Sequence, residues 1–361
     1  MQEKIFVIKP VGARCNLNCD YCYYKSRSNG EKTVIDNRTL EEFVRQYLAF
    51  PQSTFQFTWH GGEPTLAGVD FFENVVSLQQ FYGKDKKISN EIQTNATLVD
   101  EKWIDFFERN QFHIGVSIDG PQEIHDKHRK DRLEKGSFEK VIRAISLLRR
   151  SKLQWGALVV LTKASLGSEE RVFELLTRNK INNFDLLPII SLDKKTDISD
   201  DYSISPEEFH EAIVKIFNLW WKLDEPNIHI RLFQEMIQAL LKKTPFHCIC
   251  DSPGCANYLT LDCDGTIYPC EAFTGIEDFN FGNISSSTLK EILTNSRYQS
   301  FVVKTKGIDL ECRDCKWGQI CPGRCIFDQY KFGSSAAEKD FLCGFRKMFF
   351  PYLEKKVKEV I

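Results

Sequence analysis

From Ile5 to Ile190 the chain alternates six times between a short apolar-rich run and an amphipathic stretch. This rhythm is its strongest constraint on fold. The runs Ile5–Ile8, Thr54–Trp59, Ile88–Gln93, His113–Ile118, Trp155–Thr162 and Phe184–Ile190 read as strands, and stretches such as Thr39–Leu48, Asp100–Asn110 and Ser137–Arg150 read as helices. Strand-then-helix units repeated in sequence imply a parallel sheet with right-handed crossovers. Six units predict an α/β fold, either an open doubly wound sheet or a partial (β/α)6 TIM-like barrel. Periodicity alone leaves both open. In both, loops at the carboxyl ends of the strands gather on one side, where such folds place their sites. Those loops hold three cysteines after the first run, His60-Gly61-Gly62-Glu63-Pro64 after the second, Thr94-Asn95 after the third, and Ser117 with Asp119-Gly120-Pro121 at the end of the fourth.

A chain of 361 residues has room for two domains, placed at 1–235 for the βα units and 236–361 for a cysteine-rich remainder. Ser205-Pro206-Glu207-Glu208 has the pattern of a capped helix start with proline in the first turn, and Ile213, Ile216 and Trp220 continue it as an apolar stripe. A second helix is expected near Arg231–Leu241 and a closing helix over Phe345–Val360. Mixed charge with a net of -2 argues against a nucleic-acid footprint or a polybasic membrane anchor. No run approaches the ~18 apolar residues of a membrane helix, and MQEKIFVIKP has no signal-peptide pattern. The expectation is a cytoplasmic monomer.

Thirteen cysteines are many for such a chain, and their placement is uneven. Three lie at residues 15–22, none at 23–247, and ten at 248–343. An odd number in a reducing compartment does not suit a disulfide framework. Two metal-bearing regions do suit it. Cys15, Cys19 and Cys22 are spaced to ligate three corners of a cluster. Zinc would need a fourth ligand, for which His60 is available. An iron–sulfur cluster held by three cysteines keeps one iron open to a small molecule.

The C-x3-C-x2-C spacing with Tyr21 before the last cysteine resembles the signature of radical S-adenosylmethionine enzymes. The resemblance implies a [4Fe-4S] cluster on Cys15, Cys19 and Cys22, whose open iron chelates the methionine part of S-adenosylmethionine and whose electron releases a 5′-deoxyadenosyl radical. By the same resemblance, Gly61, Gly62 and Glu63 belong to the loop that approaches the methionine amine. Ser117 matches a ribose contact, Arg129 a carboxylate contact, and Tyr21 and Leu192 positions near adenine. The later cysteines reproduce the seven-cysteine pattern of the SPASM extension. It implies two auxiliary [4Fe-4S] clusters, three clusters in all. One would take Cys312, Cys315, Cys321 and Cys343. The other would take Cys255, Cys270, Cys325 and either Cys248 or Cys250. Cys263 is left over, in a strand-like run where packing explains it.

The motifs VIKPVGARCNLNCDYCYY, GGEPTLAG, QTNATL and SIDGPQEIH are similar to those of anaerobic sulfatase-maturating enzymes. That similarity implies oxidation of a sulfatase cysteine or serine to formylglycine. A hydrogen atom leaves Cβ, a base takes a proton, an electron leaves through an auxiliary cluster, and hydrolysis yields the aldehyde. Two departures stand out. Glu271 follows Cys270 where that group has its aspartate base, and Ala96 replaces a glycine. The alternative is a maturase that forms thioether or carbon–carbon crosslinks in a ribosomal precursor peptide. Either reading calls for a peptide or protein substrate and a flavodoxin- or ferredoxin-type electron donor.

Overall fold

The computed structural model describes residues 3–25, 34–190, 201–243, 254–306, 310–321, 323, 325–332 and 340–360. They fall into two compact units. The first comprises residues 1–117, 130–155 and 255–304, and the second residues 118–129, 156–254 and 305–361.

The first unit holds β1 (Ile5–Ile8), β2 (Thr54–Trp59), β3 (Lys87–Thr94) and β4 (His113–Ser117), all mutually parallel. Helices α1 (Asn37–Leu48), α2 (Val69–Tyr82) and α3 (Glu101–Arg109) connect them. Strict alternation in β2 buries Phe55, Phe57 and Trp59 on one face, as a period-two pattern requires. Asp36 caps α1 through Thr39 N–H, and its apolar stripe sends Leu40, Phe43, Val44 and Tyr47 into the core. The result is an aromatic interior: Phe6, Phe43, Tyr47 and Phe57 pack mostly edge to face at 4.8–6.1 Å between centroids, a favoured geometry for such rings. Polar groups in this layer are satisfied: Trp59 Nε1 donates to Asn90 Oδ1, which also accepts from Gln79, and the Tyr47 hydroxyl donates to Lys4 O.

β5 (Trp155–Leu161), β6 (Asn183–Pro188) and the short β7 (His229–Ile230) form the sheet order β5-β6-β7 in the second unit. Late in the chain, β8 (Tyr258–Leu261), β9 (Thr266–Tyr268) and β10 (Gly282–Asn283) return to the first unit. There β8 pairs in parallel with β1, and the antiparallel β9 and β10 extend the edge. The order in the first unit is therefore β10-β9-β8-β1-β2-β3-β4. The sheet is mixed, parallel from β8 through β1 to β4 and antiparallel at β9 and β10, as the α/β expectation requires for its parallel part. The strand ends differ from expectation by a few residues, with β4 ending at Ser117 and β6 at Pro188.

In the second unit the Ser205 capping box forms as expected, with Ser205 and Glu208 exchanging side-chain and backbone bonds at the start of helix Pro206–Leu223. That helix packs on the closing helix Phe341–Lys358 through Phe209, Phe345, Phe217 and Phe349. Among the described residues no helix is long and apolar enough to cross a membrane.

Candidate active site

The loop after β1 carries Cys15, Cys19 and Cys22, and its path is set by backbone bonds from two other loops. Gly62 N–H donates to Gly12 O at 2.7 Å and Glu63 N–H to Arg14 O at 2.9 Å. The approach is so close that a Cβ on Gly62 would lie 2.0 Å from the Arg14 carbonyl oxygen. Only glycine fits there. On the other side Asn18 N–H donates to Lys130 O at 2.7 Å, and Leu17 bridges to Asp131.

Glu63 is fully buried, and its carboxylate accepts from Thr65 Oγ1, Thr94 Oγ1 and the amides of Thr65 and Asn95 at 2.6–3.1 Å. Burial pushes its carboxyl above the ordinary value, and these donors pull it back. In this arrangement Glu63 ties the loop after β2 to the end of β3. Asn95 in turn donates to Asn16 Oδ1 at 2.9 Å and lies 3.7 Å from Cys15 Sγ. Asn16 donates to Thr97. Burial first, and the Glu63 charge next, pushes the Cys15 thiol up to about 12. A metal binding there must displace a proton.

Ser117 Oγ accepts from Gln93 Nε2 at 3.0 Å, which orients the hydroxyl at the end of β4. In the second unit, Arg129 forks onto Asp119 with contacts of 2.8 and 3.1 Å, both side chains buried. Such a bidentate pair fixes the guanidinium plane. Asp119 Oδ1 also accepts from Val160 N–H, and Asp119 N–H donates to His125 Nδ1. Burial lowers His125 to about 4, so the ring is the neutral acceptor that this bond needs. Tyr21 is buried beside Cys22. Leu192, Cys248 and Cys250 lie outside the described residues.

Glu271 opens a single turn after Cys270, and its Oε2 lies 3.1 Å from His60 Nδ1. The contact is an electrostatic approach, since His60 Nδ1 forms no hydrogen bond among the described residues. Burial lowers the His60 pKa, against the pull of Glu271. The pair retains about a quarter and a third of its side-chain exposure. His60 thus faces the carboxylate proposed as base. Nearby in the same unit, Lys9 is fully buried with its ammonium 3.7 Å from the Tyr24 ring centroid, and Tyr24 donates to Asp262 at 3.0 Å. Sequence reasoning missed this trio. Its one signal was a lysine at the end of a buried strand, a position that seldom goes unused. Cys263 packs its sulfur over Gly12, where a Cβ would come within 2.8 Å of it.

The second unit brings Cys312, Cys315, Cys321 and Cys343 to one cavity, walled by Trp317, Phe350 and Arg346. Arg346 Nη1 donates to Gly323 O at 2.7 Å and points at Cys321 Sγ from 3.7 Å. Asp340 caps the closing helix through Cys343 N–H and so places that thiol. Among the described residues no three His, Cys, Asp or Glu side chains converge closely enough to hold one ion. Four thiols around an apolar cavity, with a cationic donor to sulfur, suit a multinuclear iron–sulfur cluster better than a single tetrahedral ion. Cys255 and Cys270 lie in the first unit and Cys325 in the second.

Comparison with known proteins agrees with this chemistry. Residues 10–176 match the radical SAM superfamily, and residues 250–316 an iron–sulfur cluster-binding domain, SPASM. The fold and site therefore define a radical SAM enzyme with a SPASM extension, a class that uses S-adenosylmethionine and iron–sulfur clusters. A cysteine-type anaerobic sulfatase-maturating enzyme of Clostridium perfringens is 32% identical, over 96% of this chain and 95% of that one. A serine-type counterpart from Bacteroides thetaiotaomicron is 30% identical, over 98% and 91%. The solved structure of native anSMEcpe with bound AdoMet and Cp18Cys peptide superposes with a TM-score of 0.86 at 28% identity, covering 99% of this chain and 100% of that one. The chain belongs to the family of anaerobic sulfatase-maturating enzymes. SuiB of Streptococcus suis, at 19% identity and a TM-score of 0.66, shares the fold.

Proposed function

We propose that this protein oxidises a cysteine or serine side chain of a sulfatase to formylglycine. When bound, S-adenosylmethionine and the amino-terminal cluster supply the radical that removes hydrogen from Cβ. The ligands of that cluster are Cys15, Cys19 and Cys22, and Gly61 and Gly62 give the cofactor a flat backbone to approach. Glu63 holds that backbone in place, Ser117 and Arg129 orient the ribose and carboxylate, and Tyr21 and Leu192 flank the adenine. Two auxiliary clusters sit on Cys312, Cys315, Cys321 and Cys343, and on Cys255, Cys270, Cys325 and one of Cys248 or Cys250. In this reading residues 1–235 handle the cofactor and residues 236–361 carry the auxiliary clusters. A flavodoxin- or ferredoxin-type protein donates electrons.

The observation that carries the reaction assignment is the contact of His60 with Glu271, next to Cys270. Glu271 accepts the proton that leaves the substrate side chain. The extra methylene relative to aspartate would misplace the oxygen by roughly an ångström, an error worth about 100-fold in rate. His60 restrains the longer side chain. In anaerobic incubations with a C-x-P-x-R peptide, Glu271→Gln keeps 5′-deoxyadenosine formation and loses formylglycine in the mass spectrum. Wild-type product yield from this variant would remove Glu271 from the mechanism. Formation of a crosslink that resists alkylation would favour the ribosomal-peptide reading instead.

A further inference from the structure

We propose that Arg346 raises the reduction potential of the auxiliary cluster on Cys312, Cys315, Cys321 and Cys343, so that this cluster accepts an electron more readily. This rests on the iron–sulfur reading of those four thiols, but not on the identity of the peptide substrate. Arg346 is 5% exposed and sits on the closing helix Phe341–Lys358, whose first turn carries Cys343. Its Nη1 donates to Gly323 O at 2.7 Å and to Cys321 Sγ at 3.7 Å. That sulfur stands for the thiolate that would bind iron. The first bond ties the guanidinium to the loop after Cys321, and the second aims an N–H at a ligand atom. Hydrogen bonds to the sulfurs, charge and solvent exposure are what set the potential of such a cluster. Arg346 supplies the first two.

Nearby backbone amides are turned to oxygen instead of sulfur. Gly318 N–H donates to Cys315 O, and the amides of Ile320 and Cys321 donate to Trp317 O, at 2.8–3.0 Å. Cys343 N–H donates to Asp340 Oδ1 at 2.9 Å. Lys347 also lines the cavity, but it is exposed, where water and salt screen its charge. Asp340 is buried and its charge opposes that of Arg346, but its carboxylate is engaged at the start of the helix. Trp317 and Phe350 stack at 5.1 Å and close an apolar wall beside the thiols. In that setting a guanidinium next to sulfur is weakly screened. Reduction makes a cluster more negative, so a fixed cation beside it favours the reduced form. Arginine suits the task because its planar fork keeps one N–H on Gly323 O while another faces the sulfur, and lysine has the charge without the fork. The amino-terminal site has the opposite electrostatics. Neutral donors approach Cys15 Sγ there, Leu17 N–H at 3.4 Å and Asn95 Nδ2 at 3.7 Å, and the buried charge that bears on it is the Glu63 carboxylate.

The test is a potentiometric titration of the anaerobic holoenzyme, followed by electron paramagnetic resonance, with iron counted per chain. Arg346→Met keeps an apolar stem and removes the charge and the N–H donors. It should disfavour reduction of one cluster by about 10-fold, a midpoint lower by ~59 mV for one electron. Iron content, and the midpoint of the signal that responds to S-adenosylmethionine, should match the wild type. Arg346→Lys, which keeps the charge, should shift the same midpoint in the same direction by less. If Arg346→Met loses iron, Arg346→Lys carries the test alone, and an unmoved midpoint there overturns the proposal. Unmoved midpoints in an iron-replete Arg346→Met, or an upward shift, would overturn it too. So would loss of iron from both variants, which would make Arg346 a purely structural residue. Wild-type iron content in the double variant Cys321→Ser and Cys343→Ser would instead remove the cluster from these thiols, and with it the reading on which the proposal rests.

Discussion

The cysteine loop after β1 and the four-cysteine cavity of the second unit are built on opposite plans. The loop is held by protein alone. Gly62, Glu63 and Asn18 fix its backbone, and Asn95 and Asn16 brace it from β3. Its strands are among the most deeply buried in the chain, with Phe6, Ile8, Phe57 and Trp59 at 0% exposure. The cavity has little regular structure of its own. Its thiols come from the short helix Leu310–Arg313, from turns, and from the first turn of the closing helix. One close glycine approach, at Gly318, and Arg346 are the main protein constraints. On the assignments proposed above, the first site would be preorganised for a ligand that comes and goes, and the second would rely on its metal for much of its order, as small metal-bearing modules do.

The largest expected effect tests that contrast directly. Chelating iron from the anaerobic protein should raise amide exchange by ~100-fold or more across residues 310–332, while β1–β4 keep their protection. Equal loss in both regions would show that the first site also folds around its cluster.

Gly62→Ala comes next. The added methyl meets the Arg14 carbonyl at 2.0 Å, and relieving that overlap costs about 1–3 kcal/mol. The variant should lose the electron paramagnetic resonance signal that responds to S-adenosylmethionine and retain the signals that do not. Loss of all iron would mean that the two regions are not independent.

The smallest effect concerns Ala96, buried at φ 59°, a conformation that favours glycine. Ala96→Gly removes left-handed strain but loosens the unfolded chain, for a net gain of about 0.5–1 kcal/mol. A thermal melt of the first unit should shift upward by a few degrees at most. A decrease would show that the Ala96 methyl contributes packing worth more than the strain.

The order of strands and helices, the capping box at Ser205 and the thiol-rich loops were legible in the chain because each depends on neighbours a few residues away. Cys312, Cys315, Cys321 and Cys343 could be grouped from spacing by family resemblance, and the cavity brings these four together. The place of β8 was not legible. Tyr258–Leu261 reads as a strand, but nothing local says that it pairs in parallel with β1. The roles of Glu63 and His60 were hidden for the same reason. Glu63 meets Thr94 and Asn95 across 31 and 32 positions, and His60 meets Glu271 from another part of the chain.

By itself the sequence determined the kind of chemistry, since thiolate spacing, glycine pairs and strand–helix alternation are local codes with local physical causes. Only the tertiary structure decided which groups face one another. It turned Glu63 into a clamp and Arg129 into half of a buried pair, and it set His60 against Glu271. Such partners are chosen by chain topology and by the requirement that buried charge be satisfied, and neither is written in any short stretch of residues.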